Sequence, residues 1–227
     1  MGEELDRRAI MKRLFIVVEG ITEQDFVREI LSPYFSLHEI YDVRAIPIHT
    51  SRNGRGGFVN YEHLKNTITA LLKSEGKNIV VTTLVDYFRI PNNTPHYVEC
   101  MKNSCNKDKV AELERCIAED IKDRRLVPYI QLHEFEALLF SNNEGFEEFF
   151  SEKQAQQTLQ IVNAFNNPED INTHPQYAPS KRILAIKEDY NKPIDGNLIA
   201  LKIGIKTMLE RCPRFAAWIE NIVRECR

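Results

Sequence analysis

The chain has 227 residues and a formal net charge of −3, with 43% hydrophobic and 28% charged residues. This composition is typical of a globular protein with a buried core and excludes a disordered or fibrous chain. The slight excess of acid disfavours nonspecific coating of nucleic acid, which needs a basic surface, but it leaves a local nucleic-acid site open. The longest apolar runs, 14–18 and 79–85, are far too short to cross a bilayer, so we expect no membrane segment.

Two further features of the sequence concern the cellular compartment of the protein. Residues 1–10 are charged and have no apolar signal core, so we expect a peripheral leader and a cytoplasmic protein. The five cysteines are irregularly spaced and form no CxxC pair, which is typical of free thiols in a reducing compartment.

Residues 11–136 alternate between strand and helix patterns. The first helix is expected to be capped by Thr22 and to kink or end near Leu31, because Pro33 follows. Pro128 should place the last strand at an edge of the sheet. The order β-α-β-α-β-α-β predicts an α/β domain, with a parallel sheet of about four strands and helices on both faces. The strands are expected at 14–18, 42–48, 78–85 and 126–132.

Residues 137–227 show no further convincing strand and predict a helical extension packed on the α/β domain. Charge divides within it: 141–176 carries a net charge of −5 and 177–227 a net charge of +4. The helices are expected near 135–140, 144–150, 152–164, 180–187, 197–211 and 214–226.

Acidic residues follow three of the predicted strands. Glu19 follows the first strand, Asp86 the third, and Glu134 and Glu136 the fourth. Because ligands of open α/β sheets bind at the carboxyl ends of the strands, these carboxylates should meet at one rim. They would repel one another without a cation, and hard oxygen ligands suit Mg²⁺ or Mn²⁺. The alternative for each acid is a helix cap or a salt bridge.

Basic residues could hold a phosphate backbone near such a site. Arg52 and Arg55 lie in a glycine-rich loop, and Lys181 and Arg182 follow Ser180, a predicted N-cap. The alternative is an ordinary solvated surface. The sequence contains no GxxxxGK[ST], GxGxxG or GxSxG motif, and HEFEA at 133–137 is not the HExxH motif of zinc proteases.

The segment FIVVEGITE at 15–23 resembles the first motif of Toprim domains, the metal-binding fold of topoisomerases, primases and OLD-type nucleases. The resemblance implies that Glu19 is the glutamate ending the first strand and Asp86 the first aspartate of a DxD pair. The second position of that pair is Phe88, so the pair is broken. Over nearly the whole chain after Met11, the sequence is similar to a Toprim-like bacterial family catalogued as domain of unknown function 4276. The stretches that carry this similarity are VEGITE at 18–23, VDYF at 85–88, PYIQLHEFEALLF at 128–140, NNPEDIN at 166–172 and APSKRI at 178–183.

Members of that family are often encoded beside an AAA- or ABC-type ATPase of the kind found in phage-defence systems. The resemblance therefore implies a two-component system whose partner hydrolyses ATP while this chain, as a monomer or a homo-oligomer, cleaves DNA or RNA. Glu19 and Asp86 would be catalytic, and Glu134 or Glu136 would complete the metal shell in place of the missing aspartate. Two alternatives stay open: a non-catalytic adaptor or regulator of the ATPase, with 141–176 as its docking face, and a phosphoesterase acting on small phosphates.

Overall fold

The computed structural model describes residues 12–49, 58–171 and 175–227. The predicted leader at 1–10 and the loop arginines Arg52 and Arg55 lie outside these ranges. Within them, a parallel sheet has the strand order β2-β1-β3-β4, and β5 also pairs with β3. The parallel α/β architecture predicted from the sequence is confirmed. Its strands are β1 (Arg13–Val18), β2 (Val43–Pro47), β3 (Ile79–Asp86), β4 (Leu126–Val127) and β5 (Ile130–Gln131).

The sheet separates two hydrophobic clusters, because successive side chains of a strand point to opposite faces. In β1, Leu14, Ile16 and Val18 belong to one cluster, while Phe15 and Val17 belong to the other. The first cluster is covered by the helices that follow β1 and by the C-terminal helices, and the second by the two long helices between β2 and β4.

The helices are α1 (Ile21–Phe26), α2 (Ser32–Ser36), α3 (Tyr61–Ser74), α4 (Tyr97–Cys100), α5 (Asn106–Ile121), α6 (Glu144–Phe149), α7 (Glu152–Ala164), α8 (Pro179–Ile186), α9 (Asn197–Ile203), α10 (Ile205–Arg211) and α11 (Pro213–Cys226).

Two helix predictions need correction. The first helix is capped at Gly20 rather than Thr22, and the chain stays helical past Pro33, through a π-helical turn at Val27–Leu31 and on to Ser36. Proline is tolerated there because it opens α2, where its missing N–H costs little. The helix predicted over 197–211 is divided into α9 and α10 by Gly204, whose φ of 77° a helix cannot accommodate.

The predicted strand at 126–132 is interrupted after Val127, where Pro128 has no backbone N–H to offer the sheet. Threonine hydroxyls of β3 bridge the interruption. Thr83 Oγ1 donates to Tyr129 O at 2.6 Å and accepts from Tyr129 N at 2.8 Å, while Thr82 Oγ1 donates to Val127 O. Buried polar groups are thereby paired, and β4 and β5 lie at the edge of the sheet, as Pro128 predicted.

The last helix, α11, is fixed to the sheet by a buried polar network. Glu169 accepts hydrogen bonds from the backbone N–H groups of Arg214 and Phe215 at the start of α11, at 2.8 and 3.1 Å. Trp218 stacks on Tyr129 with ring centroids 4.3 Å apart and donates its indole N–H to Thr82 at 2.8 Å. Among the described residues, no helix combines the length and apolar character needed to cross a membrane.

We predict that Glu169→Ala lowers the free energy of unfolding by about 2 kcal/mol, because two N–H groups at the start of a helix, one of them buried, lose their acceptor. Chemical denaturation would measure the change. Glu220→Ala on the exposed face of the same helix is the control and should change the free energy of unfolding by less than about 0.5 kcal/mol. Equal losses in the two variants would contradict a capping role for Glu169.

Candidate active site

The first two predicted site residues meet because their strands are neighbours. Val18 at the end of β1 lies opposite Leu84 in β3, so the residues that follow both strands emerge at the same rim. Glu19 Oε1 accepts a hydrogen bond from the backbone N–H of Asp86 at 2.7 Å. The side chain of Asp86 in turn accepts from the backbone N–H of Phe135 at 2.9 Å. Both carboxylates are therefore held in place by backbone donors.

Three carboxylates converge on one lysine at this rim. Lys192 Nζ lies 3.2 Å from Glu23 Oε1, 3.4 Å from Asp86 Oδ2 and 3.3 Å from Glu136 Oε2. Glu23 is one helical turn beyond Glu19, and its other oxygen accepts from the backbone N–H of Gly20 at 3.1 Å. A single ammonium thus forms ion pairs with acids that follow β1, end β3 and follow β5.

Lys192 opens a π-helical turn, Lys192–Gly196, that leads into α9. Asn197 fixes this turn to α1, because its side-chain amide donates to the backbone carbonyl of Thr22 at 3.1 Å. The lysine therefore comes from the C-terminal helical part of the chain and completes a site built by the sheet. Neither Lys192 nor Glu23 was predicted as a site residue. Glu23 is the last residue of the VEGITE motif, which could have identified it. No motif or periodicity distinguishes Lys192, which is 106 residues from Asp86 in the sequence.

Glu136 is placed by the 3₁₀ helix Phe135–Ser141, which begins immediately after Glu134. Its side chain is 1% exposed, and Oε2 has no hydrogen bond, although Lys192 lies at ion-pair distance. A buried carboxylate oxygen without a hydrogen bond is costly and is poised to accept a further positive ligand.

Glu134 lies beside Glu136 but faces a different group. Its two carboxylate oxygens accept hydrogen bonds from the backbone N–H and the hydroxyl of Ser180, both at 3.0 Å. The N-cap of α8 is Ala178 rather than the predicted Ser180, so Ser180 lies in the first turn and presents its N–H to the carboxylate. In this arrangement Glu134 fixes α8 to the rim, and its predicted role as a metal ligand would require it to release Ser180.

Burial alters the protonation of the acids. It raises the pKa of Glu19 to about 7, against the opposing effect of the Asp86 N–H hydrogen bond. Burial also raises the pKa values of Asp86 and Glu136, and the positive charge of Lys192 counteracts both shifts. For Lys192, burial acts to lower the pKa, but attraction to Asp86, Glu136 and Glu23 outweighs it and raises the pKa well above its usual value. The site therefore combines a permanent cation with a carboxyl group that can exchange a proton near neutral pH.

The donor set suits a hard divalent cation in its chemistry. Glu19, Glu23, Asp86 and Glu136 offer carboxylate oxygens, the ligands that Mg²⁺ and Mn²⁺ prefer. As the side chains stand, no three His, Cys, Asp or Glu residues within 12–49, 58–171 and 175–227 are arranged to hold a metal ion. The ammonium of Lys192 lies between the carboxylates at the position where their charges meet. A metal ion would therefore bind these residues only with a change in the position of Lys192.

The predicted basic residues have different surroundings. Lys181 is exposed on α8. Arg182 is engaged within the fold: its Nε donates to Tyr177 O at 2.8 Å, and its guanidinium lies over the Phe165 ring. Contact of either residue with nucleic acid stays a prediction, as does contact by Arg52 and Arg55, which lie outside the described ranges.

The fold and site define an α/β protein with a cluster of acids and one lysine at the carboxyl end of a parallel sheet. Residues 18–223 match the model of a family described as a domain of unknown function, DUF4276. The chain therefore belongs to this family, as its sequence motifs predicted. No match was found among curated proteins.

Two solved structures resemble the chain. The C-terminal region of the Xanthomonas campestris pv. campestris OLD protein has 14% sequence identity and a TM-score of 0.47, with 95% of this chain and 94% of that chain covered. The C-terminal region of the Burkholderia pseudomallei OLD protein has 15% identity and a TM-score of 0.47, with 93% and 98% covered. At this identity and with TM-scores below 0.5, neither structure transfers a residue's role to this chain.

We predict that Lys192→Met destabilises the metal-free protein by about 2 kcal/mol, because three carboxylates lose their shared cation. This loss of stability is limited to about 2 kcal/mol because the Lys192 side chain is 32% exposed, and solvent weakens its ion pairs. Mn²⁺ should then raise the melting temperature of Lys192→Met more than that of the wild type, since the metal replaces the missing charge. Scanning calorimetry with and without Mn²⁺ measures both effects.

The matched control is Lys202→Met, which removes a lysine from an exposed ion pair with Glu148. Its melting temperature should stay close to that of the wild type, with no additional response to Mn²⁺. A response of Lys192→Met to Mn²⁺ no larger than the wild-type response would contradict the assignment of these carboxylates to a cation site.

The raised pKa of Glu19 predicts a pH-dependent stability. Between the ordinary value of 4.5 and about 7, the folded state binds more protons at Glu19 than the unfolded state does, so stability falls as the pH rises through this window. The wild type should therefore gain stability relative to Glu19→Gln when the pH is lowered from about 8 to about 5, because glutamine does not titrate. Melting temperatures of both proteins in EDTA measure this difference, and a difference independent of pH would contradict the raised pKa.

Proposed function

We propose that this chain is a Mg²⁺- or Mn²⁺-dependent hydrolase of phosphodiester bonds in nucleic acid. The observation that carries the proposal is the convergence of Glu19, Glu23, Asp86 and Glu136 at the carboxyl end of the parallel sheet, around Lys192. Carboxylates gathered in this way bind the cations that phosphate chemistry needs, and one positive side chain beside them offers a contact to a phosphate oxygen.

Asp86, Glu19 and Glu136 would hold the metal, which when bound would polarise a phosphoryl oxygen and lower the pKa of a water molecule. Glu134 would join them only by giving up its hydrogen bonds with Ser180. The chain's own groups supply the remaining functions.

Lys192 would stabilise the negative charge that develops on the phosphate oxygens during the reaction. Where Asp86 and Glu136 alone hold the metal, Glu19 would instead accept or return a proton, since without a metal ligand its pKa is raised to about 7. The exposed Lys181 on α8 would contact the phosphate backbone outside the rim, together with Arg182, Arg52 and Arg55. The electrostatic roles of Asp86 and Lys192 depend on each other, because each neutralises the other when substrate is absent.

The sequence resemblance supports the wider setting of this proposal. We propose a cytoplasmic two-component system of the phage-defence type, in which a separate AAA- or ABC-type ATPase controls cleavage of DNA or RNA by this chain, as a monomer or a homo-oligomer. Residues 11–136 would be the Toprim-like α/β domain, 1–10 a peripheral leader, and 137–227 a helical extension. Because the extension supplies Lys192, the two parts would form one catalytic unit.

A second candidate is a non-catalytic adaptor or regulator of the ATPase. The observation that favours it is the position of Lys192, whose ammonium forms ion pairs with three of the acids without any metal. The acidic segment 141–176, with a net charge of −5, would then be the docking face.

Cleavage assays with Asp86→Asn test the proposed function. The wild type should cleave nucleic acid in Mg²⁺ or Mn²⁺ but not in EDTA, either alone or with the neighbouring ATPase and ATP. Asp86→Asn should reduce the rate at least 100-fold, because it removes the charge of a proposed metal ligand. Single-stranded and double-stranded DNA, RNA and a small phosphodiester should all be tested as substrates.

Asp108→Asn, an exposed acid at the start of α5, is the matched control and should retain wild-type activity. Cleavage that survives in Asp86→Asn would show that the site is wrongly assigned. A stable complex with the ATPase but no cleavage under any condition would favour the adaptor. Cleavage of the small phosphodiester alone would favour a phosphoesterase.

A further inference from the structure

The residues immediately beyond Asp86 are held against the segment that carries Glu134 and Glu136. The backbone N–H of Tyr87 donates to Gln131 O at 2.9 Å, and the backbone N–H of Phe88 donates to His133 O at 2.8 Å. Phe88, which stands where the DxD pair would have its second aspartate, is therefore fixed at the rim of the acidic site.

Arg89 occupies a backbone conformation that its side chain disfavours. The N–H of Ile90 donates to Tyr87 O at 3.1 Å and closes a four-residue turn, in which Arg89 is the third residue and has a φ of 62°. Glycine or asparagine is usual at that position of a turn, because a Cβ atom is disfavoured at positive φ. An arginine in a strained conformation next to a candidate site points to a use for its side chain.

The side chains of Phe88 and Arg89 lie next to each other. The guanidinium of Arg89 lies over the Phe88 ring, 5.2 Å from the ring centroid. Arg89 is exposed and Phe88 is half-buried, and the guanidinium makes no hydrogen bond or ion pair with any other residue in the described parts of the chain. A guanidinium thus lies over a partly exposed aromatic ring directly after the strand that ends in Asp86, and its positive charge would favour the approach of a polyanion to an acidic rim.

We propose that Phe88 and Arg89 bind an unpaired nucleotide of the substrate next to the cleaved bond, and that the enzyme therefore prefers single-stranded nucleic acid. Unpaired bases stack on aromatic rings and guanidinium planes, whereas paired bases in a duplex do not expose these faces. The guanidinium can also donate to a phosphate oxygen. This inference rests on the proposed function, because it assigns a substrate class to the same site.

Arg89→Gly is the sharpest test, since it removes the side chain while relaxing the turn. Fluorescence anisotropy would measure binding of labelled single-stranded DNA and RNA and of matched duplexes, in EDTA and in Ca²⁺. We expect Arg89→Gly and Phe88→Leu each to weaken single-strand binding about tenfold and duplex binding less than twofold. The melting temperature of Arg89→Gly should equal or exceed that of the wild type.

Arg89→Lys is the control, because it retains the charge and the strained backbone but not the planar face. It should bind single strands more weakly than the wild type and more tightly than Arg89→Gly. Unchanged single-strand binding in Arg89→Gly, an equal loss for single strands and duplexes, or no binding of any oligonucleotide by the wild type would overturn the inference.

The inference and the proposed function can fail separately. If Asp86→Asn abolishes cleavage but Arg89→Gly discriminates between single strands and duplexes as the wild type does, the nucleotide contact is wrong and the nuclease stands. If the wild type binds single strands through Phe88 and Arg89 but cleaves nothing, the nucleotide contact stands and the reaction is wrong.

Discussion

Several carboxylates lie together at the end of this sheet, and a cation among them favours their ionised form. Like charges brought close in a partly buried site repel one another, and burial alone would force them to take up protons. Here Lys192 supplies the cation at 3.2–3.4 Å from Glu23, Asp86 and Glu136. The position of the C-terminal part of the chain therefore affects the electrostatics of the site, because this part supplies the ammonium of Lys192 that pairs with the carboxylates.

The packing of the chain supports this interaction. The hydrophobic cluster that contains alternate residues of β1 also contains residues of α9, α10 and α11, so the C-terminal helices share a core with the sheet. The turn that holds Lys192 is fixed to α1 through Asn197, and α8 is fixed to the rim through Ser180 and Glu134. A displacement of these helices would separate Lys192 from Glu23, Asp86 and Glu136, so assembly of the site depends on the packing of the C-terminal helices.

Much of the fold could be predicted from the sequence, because its signals are local. The apolar runs 14–18 and 79–85 predicted the two central strands, β1 and β3, within a residue or two of their ends. The split of the fourth strand was missed, since only the tertiary structure shows that the Thr82 and Thr83 hydroxyls replace the ladder at Pro128.

Some residues of the candidate site could likewise be predicted from the sequence, and others could not. Glu19, Asp86 and Glu136 could be found because the ends of parallel strands share one rim, a rule that needs only the order of elements. Lys192 could not be found, since its role depends on how a distant helix packs. Phe88 was visible as a departure from the DxD pattern, but its association with a strained Arg89 depends on a turn conformation that no residue preference predicts.

The most direct measurement of the central claim is anomalous diffraction from crystals of the protein grown or soaked with Mn²⁺. The account predicts an anomalous peak within coordination distance of Asp86 and at least one of Glu19 and Glu136, with Lys192 displaced from its position between the carboxylates. Full access of Mn²⁺ to the crystal with no peak at this rim, and with Lys192 still in contact with Glu23, Asp86 and Glu136, would contradict it.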